Sequence, residues 1–96
     1  MNNWENKKFC LATTTAISKV GDQAILLDTI SGSYFQLNNV GKFITEHLQT
    51  KKDLKFLVGK IIENFNITDD RCHRDLIAFL DNLEKADLLV IEDLNE

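Results

Sequence analysis

The sequence predicts an α+β domain, winged-helix-like, with a three-stranded antiparallel sheet followed by a three-helix bundle. Three observations carry this. Residues 9–37 are β-rich segments broken at Gly-containing turns, whereas from Val40 to Leu83 the apolar residues fall at helical spacing. The 96 residues are 44% hydrophobic and include six Phe, one Trp and one Tyr, enough apolar material for one core and too little chain for two ordinary domains.

The elements follow in order. Phe9–Val20, rich in Thr, Ile and Val without helical period, reads as one strand with an irregular start. Gly21-Asp22 marks a turn, Ala24–Asp28 is a short apolar strand, and Thr29–Gly32 carries Ser-Gly turn chemistry ahead of a third strand, Ser33–Leu37. Alternation places Phe35 and Leu37 on one face and Tyr34 and Gln36 on the other, and the more apolar pair is expected to meet the helices. Asn38 is a good N-cap for a first helix with Val40, Phe43, Ile44 and Leu48 on its stripe, weakened slightly by Gly41. Thr50-Lys51-Lys52-Asp53 has the form of a capping box before the stripe Leu54, Leu57, Val58, Ile61, Ile62 and Phe65. Thr68, Asp69 and Asp70 cap a third helix with Cys72, Leu76, Phe79, Leu80 and Leu83 inward, ending near Ala86. Leu88–Ile91 reads as a last short strand or an apolar tail.

Residues 1–8 are expected to be a flexible N-terminus, 9–91 the folded domain and 92–96 a solvated tail. Apolar runs such as Ala24–Leu27 and Leu88–Ile91 are far shorter than the roughly 20 residues of a spanning helix. Met1–Lys8 leads into no secretory h-region, so a cytoplasmic location is expected. Cys10 and Cys72 read as small buried hydrophobes rather than a disulfide.

No nucleophile with a base, paired carboxylates or ligand set at metal spacing stands out, so neither enzymatic activity, metal nor cofactor is expected. Cys72 and His73 lack a second pair of ligands, and His47 sits alone on the first helix. Lys51, Lys52, Lys55 and Lys60 alternate with an apolar stripe as a solvated face does. Gly21, Gly32, Gly41 and Gly59 are too scattered for a phosphate loop. A formal charge of −4 argues against a surface dominated by phosphate contacts. What remains is the third strand at the sheet margin, whose unpaired backbone groups invite another extended chain.

The run Leu26-Leu27-Asp28-Thr29-Ile30-Ser31-Gly32-Ser33-Tyr34-Phe35-Gln36-Leu37-Asn38, continued by Gly41 and Ile44, resembles the PqqD-like family of peptide-modification chaperones. Asp75–Leu83 followed by Leu88 resembles that family's last helix, so the likeness spans roughly Phe9 to Ile91. The resemblance implies a three-stranded sheet on three helices and a non-catalytic role: the leader of a ribosomally made precursor peptide lies as an added strand between the third strand and third helix. It implies Ser33, Tyr34, Phe35, Gln36 and Leu37 as the pairing strand, and Arg71, Arg74, Asp75, Ala78, Phe79 and Asn82 as the helical wall. The expected partners are the leader, then the leader peptidase and cyclase of a lasso peptide pathway; a free-standing chain resembles that subtype. Related modules serve quinone-cofactor and thioether pathways. The open edge could also pair two copies of the chain when no peptide is present. Where the family often has Trp after the first-helix Ile, this chain has Thr45, which bears on local packing.

The competing reading is a winged-helix nucleic-acid binder using Arg71, His73 and Arg74, opposed by Asp69, Asp70, Asp75 and Asp81 on the same helix.

Overall fold

The computed structural model describes residues 4–93. A 3-10 turn at Trp4–Asn6 leads into β1 (Lys7–Leu11), β2 (Thr15–Val20), β3 (Gln23–Asp28) and β4 (Tyr34–Leu37). Then come α1 (Asn39–His47), β5 (Lys52–Asp53), α2 (Leu54–Asn64), α3 (Asp69–Lys85) and β6 (Leu89–Asp93). The class is α+β as expected, but the strands form two three-stranded antiparallel sheets, ordered β2-β3-β4 and β5-β1-β6. The arrangement of one sheet preceding a bundle does not hold, because β5 lies between two helices and β6 follows the last.

Phe9–Val20 is two strands, not one. At Ala12 the chain turns, and the Ala12 carbonyl accepts from both Thr15 N (3.1 Å) and Thr15 Oγ1 (2.8 Å). The first half leaves for the other sheet because Phe9 and Leu11, two apart on one strand face, are buried there. β1 pairs with β6 over its full length, from Lys7↔Asp93 to Leu11↔Leu89, which joins the two ends of the chain. The meander β2-β3-β4 is the three-stranded sheet expected of the resemblance, with what the sequence counts as the third strand becoming β4.

The segment expected to be flexible is partly structural: Trp4 is 5% exposed and meets the Phe9 ring edge-on at 5.4 Å, and β1 begins at Lys7. A large apolar side chain three residues before a core strand is held by burial of its own surface. Residues 1–3 lie outside the described residues, as do 94–96; Glu92 and Asp93 of the expected tail belong to β6.

Asn38 caps α1 as read, its Oδ1 accepting from Gly41 N at 2.7 Å, and Thr68 caps α3 through Arg71 N at 3.4 Å. The cap of α2 is Asp53 rather than Thr50: Asp53 Oδ1 accepts from Phe56 N at 2.8 Å. Lys52 and Asp53 are held extended against Phe9 and Lys8 of β1, so helix cannot start before Leu54. Thr45 is fully buried, and its hydroxyl donates to the Lys42 carbonyl at 3.0 Å, so the small side chain leaves no unsatisfied polar group. The core gathers Phe9, Leu26, Leu48, Leu57, Leu76, Leu80, Leu83 and Leu88 between the sheets and helices. Among the described residues no helix is long and apolar enough to cross a membrane.

Candidate functional site

The site begins at β4, which among the described residues pairs only with β3, in the register Leu27↔Tyr34 to Ala24↔Leu37. Asp28 N donates to Ser33 O at 2.8 Å, and antiparallel pairs alternate between those that exchange main-chain hydrogen bonds and those that do not. Phe35 and Leu37 therefore turn their N–H and C=O toward β3, while those of Tyr34 and Gln36 point out from the sheet edge. The side chains alternate the other way: Leu37 is buried and Phe35 half-buried against the core, while Tyr34 and Gln36 are exposed.

Across from that edge runs α3. Its buried residues Cys72, Leu76, Leu80 and Leu83 fix the helix phase, and the flank beside them carries Asp75, Ala78, Phe79 and Asn82. These four line a cavity of about 370 Å³ with Val40, Gly41 and Ile44 of α1, Ile61 of α2 and Ile67 of the α2–α3 connection. A second hollow, also about 370 Å³, is lined by Gln36, Leu37, Asn38 and Phe79. The hollows share Asn38 and Phe79, so one groove runs from the strand edge to the α3 wall. Its floor is apolar and its polar groups, Asn38, Asp75 and Asn82, are few, the pattern of a ligand-binding cleft.

Phe79, half-buried, stands at the junction of the hollows because Gly41 lets it. A Cβ on Gly41 would lie 3.3 Å from Phe79 Cε1 and 3.2 Å from Asn38 Oδ1, tighter than ordinary contact. The absence of a side chain on the first turn of α1 thus brings α3 and the end of β4 together.

The residues implied by the resemblance divide. Gln36, Leu37, Asp75, Ala78, Phe79 and Asn82 meet at the groove. Ser33 belongs to the turn, its N–H donating to Ser31 Oγ at 3.1 Å and its carbonyl accepting from Asp28. Tyr34 brings backbone to the edge, but its side chain is 66% exposed on the outer sheet face. Neither Arg71 nor Arg74 lines the groove: Arg71 Nε approaches Asp75 Oδ2 at 3.5 Å from an exposed position, and Arg74 lies about 100° round the helix from Asp75. Residues not foreseen as lining are Asn38, Val40, Gly41, Ile44, Ile61, Ile67, Cys72 and Leu76. Asn38 and the stripe residues were legible as cap and core, and one residue does both jobs where a core opens to the surface.

Burial pushes the Cys72 thiol up from its ordinary pKa, with Asp69 and Asp75 adding to it, and its Sγ lies 3.9 Å from the Val58 carbonyl. His73 approaches Asp69 at 3.5 Å on the opposite flank of α3, so the Cys72-His73 pair does not converge. Among the described residues no group of three or more His, Cys, Asp or Glu could hold a metal ion. The nucleic-acid reading gains nothing from this geometry, since Arg71 and His73 each approach a carboxylate of their own helix.

Fold and groove together define an α+β domain that keeps one strand edge open beside a helix. The model of the family described as coenzyme PQQ synthesis protein D (PqqD) matches residues 23–89, and the chain belongs to that family. Among solved structures it is similar to "TbiB1 in Complex with the TbiA(beta) Leader Peptide", with 28% identity, a TM-score of 0.73, and coverage of 83% of this chain and 93% of that one. It shares the fold of "Lasso peptide synthetase B1 complexed with the leader peptide", at 21% identity and a TM-score of 0.73, over 85% of this chain and 96% of that one. No curated protein matches.

Proposed function

We propose that this chain binds the leader segment of a ribosomally synthesised precursor peptide without catalysing any step, and presents it to modifying enzymes, the leader peptidase and cyclase of a lasso peptide pathway. The observation that carries the reading is the open β4 edge facing an apolar groove walled by α3. The leader adds antiparallel to β4, its backbone bonding to the outward groups of Tyr34 and Gln36, and side chains on one of its faces enter the groove against Phe79 and Ala78. Asp75 and Asn82 at the rim hold register by hydrogen bonds. The likeness to TbiB1, whose structure contains a leader peptide, supports the same use of the groove. Holding the peptide raises its effective concentration at the enzyme. With no peptide bound, the same edge is free to pair a second copy.

Fluorescence anisotropy of a labelled leader from the adjacent precursor gene tests this. Wild type should bind saturably, Phe79→Ala more weakly by about 1–3 kcal/mol, and Asp75→Ala by about 1 kcal/mol. Absence of saturable binding to wild type would sink the reading.

A further inference from the structure

The meander β2-β3-β4 has a second face, turned away from the core. Alternation sends Ala24, Leu26 and Leu37 inward, where they are buried, so the residues between them face out. Strand pairing lines these up in rows across the sheet: Ala16 beside Leu27 beside Tyr34, and Ser18 beside Ile25 beside Gln36. The chain as a whole is 27% charged, yet none of these six residues is, so a charged side chain set among them would find no opposite charge. A sheet face in water ordinarily carries polar residues, whereas the first row is apolar from Ala16 to the tyrosine ring.

Tyr34 ends its row at the β4 edge. Leu27 stands on one side of it, no described strand stands on the other, and the side chain is 66% exposed. Gln36 ends the other row, but its Nε2 donates to Gln23 Oε1 at 2.9 Å, which ties that side chain back to β3. In an antiparallel pair, directly opposite residues carry their side chains on the same face, with Cβ atoms about 5 Å apart. A strand bonded to the outward N–H and C=O of Tyr34 therefore sets one of its own side chains beside the Tyr34 ring, on the outer face.

We infer that the Tyr34 side chain selects an uncharged, apolar leader residue that points away from the groove, so that the leader is recognised on both of its faces. This rests on the proposed addition of the leader to β4. The contact lengthens the row Ala16, Leu27, Tyr34 by one apolar member and covers ring area that the free protein leaves in water. Phe79 meets Leu37 and Asn38 at the far end of β4, and an antiparallel leader passes Leu37 before Tyr34. The leader residue facing Tyr34 therefore stands C-terminal to the one facing Phe79, and an odd number of positions from it, because the two point to opposite faces.

The test is a double-mutant cycle by fluorescence anisotropy on the full chain. The labelled leader of the adjacent precursor gene, unmodified and with alanine placed at each position in turn, is titrated with wild type, Phe79→Ala, Tyr34→Phe and Tyr34→Thr. Threonine removes the ring and keeps strand propensity. Tyr34→Thr should weaken the unmodified leader about two- to fivefold, the range of a cross-strand aromatic pair, while Tyr34→Phe, which keeps the ring, should bind as wild type does. The loss in Tyr34→Thr should vanish for one alanine-substituted leader alone, whose position lies C-terminal to the position coupled to Phe79 and at an odd offset from it. Unchanged affinity in Tyr34→Thr, coupling at an even offset, or a loss equal for every substituted leader would overturn the outer contact and leave leader binding in the groove standing. Failure of wild type to bind leader would instead strike the function on which the inference rests.

Discussion

Each position in the Asp28–Asn38 run answers a physical demand. Asp28 accepts from Ile30 N (3.2 Å) and Ser31 Oγ (2.8 Å), Gly32 takes φ 79°, Leu37 closes the core and Asn38 starts α1. The Ser31 hydroxyl, then the Ile30 amide, hold the Asp28 carboxyl below its ordinary 3.8. A lowered carboxyl pKa contributes stability above about pH 4 that is lost as pH falls through the folded value. Ser31→Ala should therefore move the Asp28 titration upward toward 3.8 in a carboxyl NMR experiment; an unmoved titration would assign the shift elsewhere. Gln36→Pro removes an N–H that points away from β3, so it should leave the meander folded while weakening leader binding about tenfold, one main-chain hydrogen bond's worth. Unchanged affinity in the anisotropy titration would remove Gln36 from the pairing edge. At this scale the sequence was legible where a residue has one local role, as at Asn38 and Gly32. It was not legible at Gly41, whose role is a contact with Phe79, 38 positions further along the chain.

Among the elements, α3 shows how a helix end can do two things. Asp87 adopts φ 62°, its N–H donates to the Glu84 carbonyl at 3.0 Å, and Leu88 N donates to the Leu83 carbonyl at 3.0 Å. This left-handed stop reverses the chain, buries Leu88 completely and launches β6. Glycine meets no Cβ penalty there, so Asp87→Gly should stabilise the protein by about 0.5–1 kcal/mol in urea unfolding; a loss of stability would show that the Asp side chain is needed. The periodic stripes predicted all three helices, because burial of one face is written in residue spacing. The start of α2 escaped, since the capping-box pattern at Thr50 was overridden by pairing of Lys52 and Asp53 with β1, a contact between segments over 40 residues apart.

For the molecule as a whole, the β5-β1-β6 sheet closes the chain on itself and gives the N-terminal segment a structural task. Trp4→Ala should cost about 3–5 kcal/mol, the range for a buried aromatic truncated to a methyl, read as a lower urea midpoint with unchanged slope. A change within 0.5 kcal/mol would show that Trp4 is not part of the core. The core draws on both sheets, Phe9 and Leu11 from one and Leu26 and Leu37 from the other, while the open edge beside α3 belongs to the meander alone.

The sequence by itself determined what depends on neighbours in the chain. Hydrophobic period, caps and turn residues set the class, the three helices, the β2-β3-β4 meander and the inward facing of Phe35 and Leu37. The family motif was legible because its Asp, Gly, Leu and Asn meet demands of one turn, one strand and one cap. Only the tertiary structure decided that Phe9 pairs with Ile91 rather than continuing into β2, and that Asp75 but not Arg74 faces the groove. These outcomes depend on how sheets and helices pack across the whole chain: strand partners and helix rotation minimise exposed apolar area globally, and local spacing does not record that minimum.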